Sequence, residues 1–258
     1  MSVSHQRFKL RYPKDSYTYE AVRAILLHGN NSFRWEVVFE QSEEERLEFL
    51  DDATNLTVYK PDGSQIDING TLGIESYLVN CGDLAKTLDP VQISHQLQLR
   101  QEIRVLLEKG VKVKNCADDN RETIEREFEL FAKKFVQTHQ FVLWKNGWCG
   151  HYFGTKTTFV DLALTVSIKR LMIILAPINM KLYDIISPKG SPNLHTVVNR
   201  VAEALSKLQS FFKMFDDDLA ECLKAIEDAA AKKAAEEEGA NKDEKKVVEE
   251  NGESEAEE

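Results

Sequence analysis

The sequence predicts an α/β domain over residues 1–82 and an all-α domain over residues 91–215. Three observations lead to this prediction. Up to residue 80 short strand patterns alternate with helical ones, and after residue 93 the apolar residues recur only at helical spacing. A helix-capping signature at Thr158 and Asp161 then precedes a nearly uninterrupted apolar stretch, which is typical of a helix at the centre of an all-α domain.

The N-terminal domain is predicted to contain seven elements in the order strand, helix, strand, helix, strand, strand and helix. Strands are predicted where apolar and polar residues alternate, and helices where apolar residues recur every three or four positions. Pro61 and Gly63 predict a tight turn between the third and fourth strands. The seven elements cover residues 8–12, 19–27, 33–39, 42–50, 56–59, 65–68 and 73–80. This order is that of a thioredoxin-like domain.

The C-terminal domain is predicted to be helical throughout and to follow a linker at residues 83–90. Thr158 and Asp161 form a capping box, in which the hydroxyl accepts a bond from a first-turn N–H and the carboxylate accepts one from the N-cap N–H. The predicted helices cover residues 93–108, 122–145, 158–174 and 193–212. A helical extension is expected at residues 216–238. The acidic tail at residues 239–258 is expected to be disordered, because it has almost no apolar residues to bury.

The composition narrows the range of partners. The net charge is −10, and residues 227–258 alone carry −8, so the remaining body of the chain is nearly neutral. Phosphate binding needs a clustered basic surface, so no nucleic acid partner is expected. No apolar run reaches the length of a membrane span and the first residues lack a signal pattern, so we expect a cytoplasmic protein that does not use a membrane. Cys81, Cys116, Cys149 and Cys222 lack metal-site spacing and are expected to be free thiols.

Several short motifs, taken together, are similar to those of one family. They are Leu10-Arg11-Tyr12 at the end of the first strand, Glu20 and Arg23 in the first helix, His28-Gly29 at its end, Phe153-Gly154 before the capping box, and Asn199-Arg200-Val201 in a late helix. Over residues 7–208 the chain resembles the glutathione transferase superfamily, and its sigma class in particular. The resemblance implies the glutathione transferase fold, a thioredoxin-like domain followed by an all-α domain, and the homodimer that is usual in that family.

The resemblance also implies a catalytic role for Tyr12. In the family, the tyrosine at this position donates a hydrogen bond to the sulfur of glutathione. A free thiol has a pKa near 8.5, and a donor that stabilises the thiolate lowers that pKa. The thiolate can then attack an electrophilic carbon. Glutathione is a co-substrate in this chemistry, and neither a cofactor nor a metal is implied. Taken without the resemblance, Tyr12 is better explained as a packed tyrosine at a strand end; with the resemblance, the two explanations have equal weight.

The rest of the implied glutathione site differs from the family pattern. The backbone of Leu56, Thr57 and Val58 would hold the peptide, and Gly70 and Thr71 would receive its γ-glutamyl carboxylate at a helix N terminus. Thr57 stands where the family has a cis-proline, and a cis bond before a non-proline residue costs roughly 3 kcal/mol, so a trans bond is expected. Gly70 stands where the family has a glutamine.

Two further stretches depart from the family. Tyr17-Thr18-Tyr19 replaces a Gly-Arg-Ala motif, and residues 41–45 lack the expected tryptophan and lysine. The motifs of the fold are therefore kept while the glutathione site is altered, and more than one function fits. The leading hypothesis is a transferase that conjugates glutathione to electrophiles, and the alternative is a non-catalytic scaffold or structural protein with a possible partner for its acidic tail. A third hypothesis is a carrier of apolar ligands, with Tyr17 and Tyr19 at the mouth of a pocket between the domains.

One other group of residues has the chemistry of a nucleophile. Cys149 lies near His139 and His151 in the sequence, and a thiol beside an imidazole can be activated for attack. Residues of this kind more often fill a junction between a helix and a turn, and we favour that structural interpretation.

Overall fold

The computed structural model of the protein describes residues 6–13, 17, 19–31, 35–42, 54–81, 84 and 88–252. Its elements in chain order are β1 (Gln6–Pro13), α1 (Glu20–Asn31), β2 (Trp35–Ser42), β3 (Asn55–Tyr59), β4 (Gln65–Asn69), α2 (Thr71–Cys81), α3 (Pro90–Asn115), α4 (Arg121–Lys145), α5 (Phe159–Leu175), α6 (Met180–Ile186), α7 (Pro192–Ala204) and α8 (Gln209–Gly252). Single turns of 3₁₀ helix precede α4 and α8. Among the described residues, no helix combines the length and the hydropathy needed to cross a membrane.

The N-terminal half forms one mixed sheet with the strand order β2-β1-β3-β4. β1 is parallel to β2 and antiparallel to β3, and β4 is antiparallel to β3. The parallel pair requires a crossover, which α1 provides. The β3–β4 hairpin turns at Gly63, whose φ of 84° suits a residue without a side chain. The predicted succession of four strands along the chain is confirmed. The helix predicted over residues 42–50 lies, apart from Ser42, outside the described residues.

The two faces of the sheet differ in character. Phe8 and Leu10 on β1 lie opposite Val58 and Leu56 on β3, and all four side chains are buried in the core with α1 and α2. The other face is polar and is crossed by side-chain pairs such as Arg7 with Glu36 and Arg11 with Glu40. The alternation predicted from the sequence therefore separates a core face from a charged face.

The helical half is organised around α5. Fourteen of its 17 residues are buried, and it contacts α1 of the first half as well as α3, α6, α7 and α8. This confirms the prediction of a central helix after the capping box. The short helix α6 was not predicted, because a seven-residue segment is too brief to establish helical periodicity. Asn179 caps it by accepting hydrogen bonds from two backbone N–H groups, at Lys181 and Leu182.

The C-terminal helix corrects two sequence predictions. The helix predicted over residues 193–212 is interrupted by the 3₁₀ turn Ser206–Leu208, and α8 begins at Gln209. α8 then continues to Gly252, so residues 239–252, predicted to be disordered, are helical. Half of residues 239–252 are Ala, Glu or Lys, which are strong helix formers even without a core to pack against. Residues 253–258 lie outside the described part of the chain.

Candidate functional site

The register of the sheet brings most of the predicted site residues to one end of it. Arg11 of β1, Asn55 of β3 and Asn69 of β4 lie side by side in one row across the strands. Tyr12 follows Arg11, and Gly70 follows Asn69, so both lie at the same end of the sheet. A hydrogen bond of 2.8 Å from the Asn55 side chain to that of Asn69 fixes the two neighbouring strands there.

Tyr12 is half-buried near the C-terminal end of β1. Its ring stacks on that of Tyr19, with the centroids 4.1 Å apart and the planes 19° from parallel. Burial raises the pKa of the Tyr19 hydroxyl to about 12, so Tyr19 is neutral at physiological pH. Tyr19, which the sequence placed at the mouth of a ligand pocket, instead covers one face of the Tyr12 ring. The stacking fixes the position of the Tyr12 ring.

β3 is an uninterrupted central strand at the position of the missing proline. Leu56, Thr57 and Val58 are each matched with a residue of β1 on one side and a residue of β4 on the other, and all three are buried. The peptide bond before Thr57 is trans, as expected. The Thr57 hydroxyl donates to Asp67 on β4 at 2.6 Å. A peptide ligand pairs with a strand through an open edge, and at Leu56, Thr57 and Val58 both edges are occupied by neighbouring strands.

Gly70 and Thr71 form the turn from β4 into α2. Gly70 has a φ of 77°, a conformation that glycine adopts without strain. Its N–H donates to the carbonyl oxygen of Thr54 at 2.8 Å, so this amide closes the turn instead of facing a ligand. Thr71 is buried at the start of α2, and the first turn of that helix contains no acidic side chain. The N terminus of α2 therefore keeps its partial positive charge, which suits a carboxylate.

Two ion pairs that the sequence did not predict join the halves of the protein next to this site. Glu75, one turn after Thr71, accepts hydrogen bonds from the Nε and Nη2 atoms of Arg100 on α3, and both side chains are almost fully buried. The remaining nitrogen of Arg100, Nη1, has no hydrogen-bond partner, and neither does the buried amide of Gln96 one turn earlier. The sequence indicates such a pair only through the charged Glu75 within the otherwise apolar pattern of α2.

The second ion pair fills the junction near Tyr17. Arg170 of α5 donates to both carboxylate oxygens of Glu20 on α1, each at 3.0 Å from Nε. The Arg170 guanidinium lies over the ring of Tyr17 at 5.0 Å, and Lys114 donates to the Tyr17 hydroxyl at 2.8 Å. Burial raises the pKa of the Glu20 carboxyl, and the bonds from Arg170 oppose that rise. Tyr17 is thus held between two cations in the contact between the domains.

The capping box of α5 is buried and carries more bonds than the sequence indicated. Oδ2 of Asp161 accepts hydrogen bonds from the N–H and the hydroxyl of Thr158, both at 2.7 Å. Oδ1 accepts from the N–H of Tyr152 at 2.8 Å. Burial raises the pKa of Asp161 to about 6, and these bonds oppose that rise. The carboxylate therefore fixes the loop before α5 as well as the helix end.

The side chains of Cys149 and His139 near this loop form hydrogen bonds to other groups rather than to each other. The Cys149 thiol donates to the backbone carbonyl of Gly154 at 2.7 Å and receives a hydrogen bond from the Asn146 side chain. His139 is fully buried and bonds through Nδ1 to the hydroxyl of Tyr152. These contacts favour the structural interpretation of the group. Within the described part of the chain, no three His, Cys, Asp or Glu side chains are grouped so that they could hold a metal ion.

Comparison with solved structures identifies the architecture. The sigma-class glutathione transferase of Fasciola hepatica superposes with a TM-score of 0.60 at 17% identity, over 81% of this chain and 96% of that one. The monomeric glutathione transferase Na-GST-3 of the hookworm Necator americanus gives 0.59 at 18% identity, over 80% and 97%. Ure2p, solved in complex with glutathione, gives 0.55 at 14% identity, over 78% and 96%. No protein-family model and no curated protein sequence matches the chain.

The class that these observations define is the glutathione transferase fold. The four-stranded sheet, the helical half built on a capped central helix and the superpositions agree on it. At identities of 14–18% the comparisons establish the fold and leave the activity to be argued from the residues of this chain.

Proposed function

We propose that this chain is a non-catalytic protein of glutathione transferase fold that serves as a scaffold or binding protein. One observation carries the proposal: β3 is paired on both sides throughout Leu56, Thr57 and Val58. A tripeptide held by its own backbone needs free N–H and C=O groups at this place. The adjoining turn does not supply a free backbone N–H at Gly70 in its place, because the Gly70 N–H donates to the carbonyl oxygen of Thr54.

The second candidate function is conjugation of glutathione to an electrophile. Tyr12, Gly70 and Thr71 lie at the same end of the sheet, and the N terminus of α2 can accept a carboxylate. In this case the Tyr12 hydroxyl would donate a hydrogen bond to the sulfur, which favours the thiolate, and the thiol proton would be released to solvent. The thiolate would attack the electrophilic carbon, and the leaving group would depart with the displaced electron pair.

Calorimetric titration with reduced glutathione separates the two functions. For a scaffold we expect no heat at millimolar glutathione and no shift of the thermal unfolding temperature, since a ligand that binds the folded state raises that temperature. Binding in the micromolar to low millimolar range would contradict the scaffold proposal. The matched variant Tyr12→Phe then decides about catalysis: it should keep the binding and lose conjugation of a chloronitrobenzene substrate if Tyr12 activates the thiol.

A scaffold also needs a surface for assembly, and we propose that a second copy of the chain binds at β4, α2 and α3. These elements expose Ile66, Leu72, Val91 and Leu97, and Val91 is 78% exposed. Sedimentation velocity at high salt, which screens contacts between exposed charges, should show a dimer that Val91→Glu and Leu97→Glu convert to a monomer. The exposed Leu130 on α4 provides the control, because Leu130→Glu should leave the dimer intact. A wild-type monomer at micromolar concentration would contradict this assembly.

A further inference from the structure

The C-terminal end of α4 carries a group of exposed aromatic side chains that the proposed function does not use. Phe141, Trp144 and Trp148 are 52%, 55% and 46% exposed. The rings of Phe141 and Trp144 are 5.6 Å apart, and the Lys145 ammonium lies 4.6 Å from the centroid of Phe141. We call these four residues the α4 aromatic surface. Three large apolar rings in one patch are typical of an interaction site.

The backbone at Trp148 supports an interaction role. Trp148 has a φ of 56°, and it is the only residue other than glycine with a positive φ in the part of the chain that the structure describes. A left-handed conformation costs a residue with a side chain about 1–2 kcal/mol. Hydrogen bonds from Gly147 to Trp144 and from Trp148 to Leu143 hold the turn in this shape. The strained backbone presents the Trp148 indole at the surface, where the indole does not pack in the core. Backbone strain of this kind is concentrated at functional sites.

The charge around this surface predicts an acidic partner. Residues 130–160 contain Lys133, Lys134, Lys145 and Lys156 and no Asp or Glu, although the whole chain has a net charge of −10. Lys133 pairs with Glu129. The other three lysines form no ion pair with any carboxylate in the described part of the chain. An acidic segment would gain from these cations, and a basic or neutral one would not.

The chain itself supplies such a segment. Residues 234–258 contain eleven acidic and three basic residues, a net charge of −8, together with Val247 and Val248. α8 continues to Gly252 beyond the part of it that packs on the domain: among its side chains that the structure describes, Phe215 is the last buried one and residues 227–233 are all exposed. From Phe215 to Gly252 the helix rises about 55 Å at 1.5 Å per residue, which exceeds the diameter of a small domain. The acidic end is therefore positioned to meet another molecule.

We propose that the acidic segment of residues 234–258 binds the α4 aromatic surface of a second copy of this chain. The valines would contact the indoles of Trp144 and Trp148, and the carboxylates would face Lys145. This contact is separate from the proposed dimer at α2 and α3, and it does not depend on whether the chain binds glutathione.

Fluorescence anisotropy of a labelled synthetic peptide of residues 234–258, titrated with the full chain, tests the proposal. We expect micromolar binding that weakens as salt is raised, because exposed charges are screened. Trp144→Ala and Lys145→Glu should each weaken it at least tenfold. Trp148→Gly should do the same while keeping the fold, because glycine suits the left-handed backbone. Val38→Ala, at a half-exposed position on β2, is the matched control and should bind as the wild type does.

Three results would overturn the proposal. The first is no binding of the peptide, and the second is binding that Trp144→Ala and Lys145→Glu leave unchanged. The third is equal binding of a peptide with its acidic residues replaced by Gln and Asn, which would remove the role of charge. Binding of anionic lipid vesicles through Trp144, with no binding of the peptide, belongs to the first result and would assign the surface to a membrane.

Discussion

The buried carboxylate of Asp161 offers a sharp test of how the helical half is stabilised. In Asp161→Ala the N–H groups of Tyr152 and Thr158 lose their acceptor, and the surrounding residues leave no access for water. A buried donor without a partner costs about 1–3 kcal/mol, so two such donors cost about 4 kcal/mol. For a chain of this size that corresponds to a fall in Tm of about 8–16 °C.

Urea unfolding followed by circular dichroism measures this loss directly. Asp118→Ala is the matched control, because its carboxylate is 95% exposed and pairs only with the partly exposed Arg121. A surface pair of this kind contributes less than about 1 kcal/mol, so the control should unfold almost as the wild type does. If Asp161→Ala lowers the free energy of unfolding by no more than the control, the carboxylate does not have the role that its bonds indicate.

Three further predictions follow from the buried charges and from Trp148. Because burial raises the pKa of Asp161 from 3.8 to about 6, the folded state holds the proton more tightly than the unfolded state does. The unfolding free energy of the wild type minus that of Asp161→Asn should therefore be highest below about pH 3, fall by about 3 kcal/mol as the pH rises to about 7, and stay level above that; a flat difference would refute this sign. Glu75→Ala should cost about 3–5 kcal/mol by leaving Arg100 charged and unpaired, whereas Glu75→Leu combined with Arg100→Met should recover most of that in the same urea assay. Equal losses of unfolding free energy in the single and the double variant would show that the unpaired charge of Arg100 is not the cause of the loss. Trp148→Gly should raise Tm slightly, because it relieves a strained backbone, and a fall in Tm would mean that the indole packs more than its exposure suggests.

The parts of the fold that depend on local patterns were predictable from the sequence. The strands around Leu10 and Leu56 follow from alternation, and the start of α5 follows from Thr158 and Asp161 because a capping box lies within four residues. α8 is longer than predicted, because a segment with few apolar residues can still be helical. Helix propensity acts without a core, and this segment is rich in helix formers.

The candidate site was only partly predictable. The family resemblance was enough to group Tyr12 with Gly70, which lie at the same end of the sheet, and the missing proline was enough to expect a trans bond before Thr57. The stacking of Tyr19 on Tyr12 was not predictable, because it depends on how the chain enters α1. The pairing of Glu20 with Arg170 joins residues 150 positions apart, and it depends on which helix faces meet when the two halves assemble.

The two buried ion pairs also determine how the chain can be divided. Both carboxylates, Glu20 and Glu75, belong to helices that flank the sheet, and both arginines, Arg170 and Arg100, belong to the helical half. A fragment that ended after α2 would hold two acidic groups without counter-charges on an exposed apolar face. The helical fragment would hold two unpaired guanidinium groups in the same way. Each half therefore supplies the counter-charges that the other half needs, and we expect the two halves to fold as one cooperative unit.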